Sequence, residues 1–183
     1  MTEKAENIAA RFFITSLIIG FILLIAAYPV RAADSADARF NEAVAAYQKQ
    51  DFGTAAERFA QAGDLYLKKN GSLKAAQCFF NRGLCLIYTA RNDEAITSLD
   101  RAAEIYGKAK DASGQSQSLL YAAQLYMDAM NWEAARTRYE SAMKIGGKDK
   151  LIGAMASEGL GRIERERGNL AEAEKLFSKA EEL

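Results

Sequence analysis

The sequence predicts an all-α protein, a tandem helical-repeat solenoid of about four helix pairs. Three observations predict it. The 183 residues contain a single proline while half are hydrophobic, a balance that favours helices over turn-rich sheets. One pattern of small and large side chains occurs four times, at spacings of about 38 to 40 residues. Polar turn signals separate the two halves of each repeat.

The repeated pattern is alanine, three residues, a large residue, two residues and a second alanine. Spacings of four and three place these side chains on one helical face. Another small residue stands twelve positions before each first alanine. Because helix axes approach closely only where small residues meet, the pattern predicts antiparallel pairs, helix A and helix B. The copies are Ala43, Ala55, Phe59 and Ala62; Gly83, Ala95, Leu99 and Ala102; Ala123, Ala135, Tyr139 and Ala142; and Gly161, Ala173, Phe177 and Ala180.

Cap and turn signals predict where the helices begin and end. Asp51, Asn131 and Asn169 stand at the start of helix B and favour N-caps, with Asn92 one position late. Glycine-containing segments between the repeats predict C-caps and turns. The expected helices are 37–50, 53–70, 73–90, 92–109, 113–129, 132–145, 149–167 and 169–182. The repeats of the 33–183 domain are then roughly 37–71, 72–111, 112–148 and 149–183.

The segment before the repeats, residues 1–32, has the character of a targeting or anchoring segment. An uncharged run extends from Phe12 to Val30. Two interpretations stay open. A signal peptide cleaved after Ala32 predicts a periplasmic or secreted protein. A retained helix of about 28 Å is long enough for an inner-membrane anchor, with the repeats outside the cytoplasm.

The composition argues against several function classes. Histidine is absent, which removes the commonest general base and metal ligand. Basic and acidic residues balance at 24 each, without the basic excess of nucleic-acid binders. Cys78 and Cys85 are about 10.5 Å apart along one helix, too far to form a disulfide, so we expect small buried side chains. No catalytic, metal-binding or cofactor motif is found, which predicts a non-enzymatic protein without a cofactor.

The repeated motif resembles the tetratricopeptide repeat (TPR). The stretch from Gly159 to Ala173 is especially similar to that consensus, and the resemblance covers roughly residues 37–183. The period exceeds the usual 34 residues and the closing proline is missing, as in the long-repeat variants of vesicle-fusion adaptor proteins. The resemblance implies a scaffold or assembly adaptor that binds a partner protein or peptide on its concave face. The segment 1–32 adds the expectation that this adaptor is exported or membrane-anchored.

The A helices line the concave face in the TPR family, and counting from the anchor alanine transfers the groove positions to this chain. For the apolar members, an open groove and ordinary core both stay open as interpretations. For the arginines, the alternative is an exposed, ion-paired helix surface. The candidate groove residues are Phe40, Val44, Tyr47, Phe80, Leu84, Ile87, Tyr88, Gln124, Met127, Arg162 and Arg165.

A structural homo-oligomer is the second functional hypothesis. Repeat arrays usually end in a polar capping helix. The sequence given ends with the B helix of the fourth repeat, so a second copy or a partner is expected to cover that helix unless its polar residues cap it.

Overall fold

The computed structural model describes residues 35–182, and within this range the chain forms eight α-helices and no strand. The predicted all-α solenoid of four helix pairs is confirmed, and each expected helix boundary lies within two residues of the observed one. The predicted signal peptide or anchor lies outside the described residues. The helices are α1 (Ala36–Gln48), α2 (Phe52–Lys68), α3 (Ser72–Tyr88), α4 (Asn92–Lys108), α5 (Ala112–Asp128), α6 (Trp132–Gly146), α7 (Lys150–Glu166) and α8 (Leu170–Glu181).

Consecutive helices pack against one another along the whole array. Because the turns are only a few residues long, neighbouring helices run antiparallel. The A helices α1, α3, α5 and α7 form one layer, and the B helices form the other. The exposed side of the A layer is named the A-helix face. All A-to-B turns lie at one edge of the array, and all B-to-A turns lie at the opposite edge.

A recurring left-handed residue ends the helices at intervals of twenty positions. After α3, for example, Ala90 has a φ of 56° and the Arg91 amide donates to the Leu86 carbonyl at 2.9 Å. This is the Schellman arrangement, which satisfies the last carbonyls of a helix. The residues with positive φ at these turns are Gln50, Asn70, Ala90, Lys110 and Met130, and Gly168 follows α7.

The turn between α6 and α7 departs from this rule. Helix α6 has 15 residues where its neighbours have 17, and Gly147 after it keeps a right-handed φ of −66°. The shorter helix accounts for the shorter spacing of the fourth repeat.

Small residues at the helix crossings give the close packing that the repeated pattern predicted. A Cβ added at Gly83 would stand 2.7 Å from Leu99 Cγ, and one at Gly161 would stand 2.7 Å from Phe177 Cε1. Neither distance leaves room for a methyl group. The two cysteines are also fully buried, as expected. Burial raises the pKa of Cys78 to about 12 and that of Cys85 to about 11, so both thiols stay protonated.

A buried ion pair joins the third repeat to the fourth. Glu164 is only 6% exposed, contacts Arg136, and accepts a hydrogen bond from Asn169 Nδ2 at 2.6 Å. Glu164 is thus buried, although it stands in a charged stretch of the sequence beside Arg162 and Arg165. Asn169 was expected to cap α8 but forms no cap hydrogen bond, because its amide turns towards Glu164, whereas the Asp51 carboxylate does cap α2.

The outer side of α8 is polar. The residues buried against the following helix in α2, Ala56 and Gly63, correspond to Glu174 and Glu181 in α8, and both glutamates are exposed. Ala173 is the one buried residue of this helix. Charged side chains at these positions are what a capping helix requires.

Candidate binding face on the A helices

The first pocket of the A-helix face lies between α1 and α3. It has a volume of about 240 Å³ and contains no ionisable carboxylate or ammonium group. Tyr47 at its rim is 40% exposed, while Phe59 from α2 is buried. An uncharged pocket with an aromatic rim is suited to an apolar side chain. The lining residues are Val44, Tyr47, Phe59, Asn81 and Leu84.

Three aromatic rings extend this pocket towards the A-to-B edge. Phe52 and Tyr88 stack with centroids 4.4 Å apart and planes inclined by 16°. Tyr47 meets Phe52 edge-on at 5.5 Å, and the nearby Tyr88 hydroxyl raises the Tyr47 pKa. Tyr88 remains 62% exposed despite the stacking. Exposed aromatic clusters of this kind commonly anchor protein partners.

The second pocket lies between α5 and α7 and has a volume of about 160 Å³. Tyr139 of α6 contributes from the B layer, where it is 3% exposed, and burial raises its pKa to about 12. The Tyr139 hydroxyl donates to Gln124 Oε1 at 3.3 Å, and Arg162 Nη1 lies 3.5 Å from the same oxygen. The lining residues are Leu120, Tyr121, Gln124, Tyr139, Met155, Glu158, Gly159 and Arg162.

Arg162 gives the second pocket its polar character. Among the arginines of residues 35–182, it alone has no carboxylate oxygen within 4.0 Å. The exposed Glu158 lies one turn earlier on the same helix. The pocket therefore offers an unpaired guanidinium and a carboxylate beside the apolar surface of Tyr121 and Met155.

Six of the sequence-predicted groove residues lie in these features. Val44, Tyr47 and Leu84 line the first pocket, Tyr88 lies in the aromatic cluster beside it, and Gln124 and Arg162 line the second pocket.

The remaining predicted groove residues lie elsewhere, and Met127 requires a correction. Met127 is 5% exposed in the core of the third and fourth repeats, so it does not face a groove. Phe40, Phe80 and Ile87 are half-buried against the core of the first two repeats. Arg165 is exposed outside both pockets, 3.8 Å from Glu166.

Eight lining residues of the two pockets were not among the candidate groove residues, and two of these have large, exposed hydrophobic side chains. Tyr121 and Met155 are 41% and 43% exposed and line the second pocket. Tyr121 lies three positions before Gln124 and therefore on the same helical face. This spacing in the sequence is the signal from which Tyr121 could have been predicted as a groove residue.

The fold and the pockets of its A layer define a TPR-like helical-repeat protein. The chain belongs to the soluble NSF attachment protein (SNAP) family, whose model matches residues 24–159. The predicted resemblance is thus confirmed at the level of the helical-repeat architecture. A comparison with curated proteins gives no match.

Two solved structures share this architecture. BtubC (BKLC) from P. vanneervenii aligns with a TM-score of 0.69 and 16% identity, over 80% of this chain and 62% of that one. MamA aligns with a TM-score of 0.51 and 18% identity, over 76% of this chain and 92% of that one. The chain thus spans less than two thirds of BtubC. At such identities the similarity concerns the fold alone.

Proposed function

We propose that this chain is a non-catalytic interaction module that holds a segment of a partner protein on the A-helix face. The observation that carries the proposal is the pair of pockets on one face. One pocket is uncharged and has an aromatic rim, and the other contains the unpaired Arg162. At a peptide-binding surface, apolar pockets usually anchor the apolar side chains of the ligand, and a few polar groups in the pockets orient it.

The proposed partner segment has apolar or aromatic anchors at one end and polar groups at the other. The apolar anchors fit between α1 and α3, beside the aromatic cluster of Tyr47, Phe52 and Tyr88. The polar groups meet Arg162 and Glu158 between α5 and α7. Both extended and helical segments present side chains at spacings that such a surface accepts.

Site-specific photocrosslinking in cells tests this proposal. Benzoylphenylalanine replaces Tyr121, which is exposed on the A-helix face, or Thr137, which is exposed on the B helix α6. We expect a discrete crosslinked product from position 121 and none from position 137. Crosslinks of equal yield from both positions, or from position 137 alone, would contradict the proposed face.

The homo-oligomer hypothesis receives less support. It depends on an apolar outer side of α8, where Glu174 and Glu181 instead give a charged surface. Light scattering of the chain in detergent solution separates the hypotheses, because a structural polymer grows with concentration and an adaptor does not.

The proposal includes an extracytoplasmic location for the repeats. It rests on the uncharged run from Phe12 to Val30 in the sequence. The intact mass of the protein from fractionated cells tests it. A soluble species that begins at Ala33 indicates a free adaptor, and a membrane-bound species with residues 1–32 indicates a tethered one. A full-length species in the cytoplasmic fraction would contradict export.

A further inference from the structure

Lysine is concentrated at one edge of the array. This edge consists of the B-to-A turns and the helix ends beside them. We name it the lysine edge, and it comprises residues 68–74, 108–114 and 144–151. Among the lysines of residues 35–182, only Lys49, Lys175 and Lys179 lie outside it. The lysine edge contains Lys68, Lys69, Lys74, Lys108, Lys110, Lys144, Lys148 and Lys150, and all eight are exposed.

The charge of this edge is largely uncompensated. Lys74 pairs with Asp37 at 3.1 Å and Lys108 pairs with Glu104 at 2.5 Å, while the other six have no carboxylate within 4.0 Å among the described residues. The two acidic residues of these turns cap helices. Asp111 accepts from the Gly114 amide and Asp149 from the Leu151 amide, each at 2.9 Å. The edge therefore has a net positive field.

Two exposed leucines accompany the lysines. Leu73 in the first turn of α3 is 53% exposed, and Leu151 in the first turn of α7 is 67% exposed. Lys74 directly follows Leu73, and Lys150 directly precedes Leu151. On a lipid surface, the flexible ammonium groups can contact anionic headgroups while the isolated apolar side chains reach the level where the acyl chains begin.

The opposite edge has no such excess of unpaired positive charge among the described residues. There Arg91 pairs with Glu94 at 2.7 Å, and Arg167 pairs with Glu133. The chain as a whole has 24 basic and 24 acidic residues, so the positive edge arises from the antiparallel topology, which brings three distant turns together.

We propose that the lysine edge docks on an anionic lipid surface, with Leu73 and Leu151 entering its headgroup region. Lysines near such a surface each contribute attraction, and shallow apolar insertion adds to it. A membrane fits better than a nucleic acid, because the edge contains no arginine to read phosphates or bases in a bidentate way and no exposed aromatic stacking platform. This docking leaves the A-helix face free, so it goes beyond the peptide-binding proposal.

A polarity-sensitive fluorophore at each edge tests the proposal on the full chain. Leu151→Cys on the lysine edge and Met130→Cys on the opposite edge are each labelled with a nitrobenzoxadiazole maleimide. The native thiols of Cys78 and Cys85 are buried and protonated and do not compete. Phosphatidylcholine vesicles with about 30% phosphatidylserine should brighten and blue-shift the probe at 151 but not at 130. Because each probe reports its own surroundings, the result does not depend on whether residues 1–32 also bind lipid.

A matched pair of charge variants completes the test. Lys69→Glu/Lys148→Glu changes two unpaired lysines of the edge, and Lys49→Glu/Lys175→Glu makes the same charge change elsewhere. We expect the edge pair to raise the lipid concentration needed for half-maximal signal at 151 by about tenfold or more, and the control pair by less than about twofold. Equal effects of the two pairs, or equal signals at 130 and 151, would overturn the proposal. So would stronger binding of the chain to a labelled RNA or DNA duplex than to the anionic vesicles.

Discussion

The crossing of α3 and α4 at Gly83 makes a quantitative prediction about the packing. A Cβ at this position would stand 2.7 Å from Leu99 Cγ and 2.9 Å from Leu99 Cδ2. Leu99 is fully buried and cannot turn towards solvent. Overpacking of this kind costs about 1–3 kcal/mol, and the higher helix propensity of alanine offsets about 1 kcal/mol. We therefore expect Gly83→Ala to lower the free energy of unfolding by about 1 kcal/mol.

Gly53 provides a matched control for the same substitution. It lies in the first turn of α2, and its nearest neighbour for an added Cβ is Asp51 Oδ1 at 3.9 Å. Gly53→Ala should therefore raise the free energy of unfolding by about 0.5–1 kcal/mol. Urea unfolding of both variants, followed by far-ultraviolet circular dichroism, measures the difference.

A double variant tests whether Leu99 is the cause. Leu99→Ala alone should cost about 2–5 kcal/mol, because it leaves a cavity. In that background Gly83→Ala has room for its methyl group and should stabilise the protein, as Gly53→Ala does. Equal effects of Gly83→Ala and Gly53→Ala in the native background would refute the reasoning.

Three further predictions concern other parts of the array. Ala90→Gly should stabilise the protein by about 0.5–1 kcal/mol in urea unfolding, because glycine adopts its left-handed φ of 56° without strain, and a loss of stability would contradict this. Glu164→Ala should cost about 3 kcal/mol, because it leaves Arg136 half-buried without this partner, while a cost below about 0.5 kcal/mol would show the pair to be dispensable. The Tyr139 pKa is raised from 10.0 to about 12, so its neutral form contributes stability that is present below pH 10 and lost as the pH rises towards 12. Tyr139→Phe should reduce that loss by roughly 2 kcal/mol, and an unchanged slope of stability against pH would contradict the assignment.

The helices and their pairing follow directly from the sequence because their signals are local. Alanine and a large residue at spacings of four and three define a helical face, and Gly83 and Gly161 mark the crossings. The positive φ values of the non-glycine turn residues could not be predicted in this way. Ala90 and Met130 have no intrinsic preference for a positive φ. They are held there by the Schellman hydrogen bonds of the following amides and by the packing of the helices on either side.

The exposure of the candidate groove residues does not follow from the repeat pattern alone, as Met127 illustrates. It occupies the same repeat position as Tyr47 and Ile87, yet it is buried, because α5 and α7 contact each other more closely than the other A helices do. The spacing of neighbouring A helices depends on all the side chains between them, which a periodic pattern does not specify. The lysine edge has the same origin, since its three turns come together only in the folded array.

Binding of a partner to the A-helix face is tested most directly by hydroxyl-radical footprinting. The unsubstituted chain is compared alone and in a non-covalent complex with the partner that crosslinking has identified. Tyr47, Tyr121 and Met155 report on that face and are each about 40% exposed, while Met130 at the A-to-B edge is 74% exposed. We expect the partner to reduce oxidation of the three A-helix residues and to leave Met130 unchanged. Unchanged oxidation of Tyr47, Tyr121 and Met155 in the complex would contradict the account.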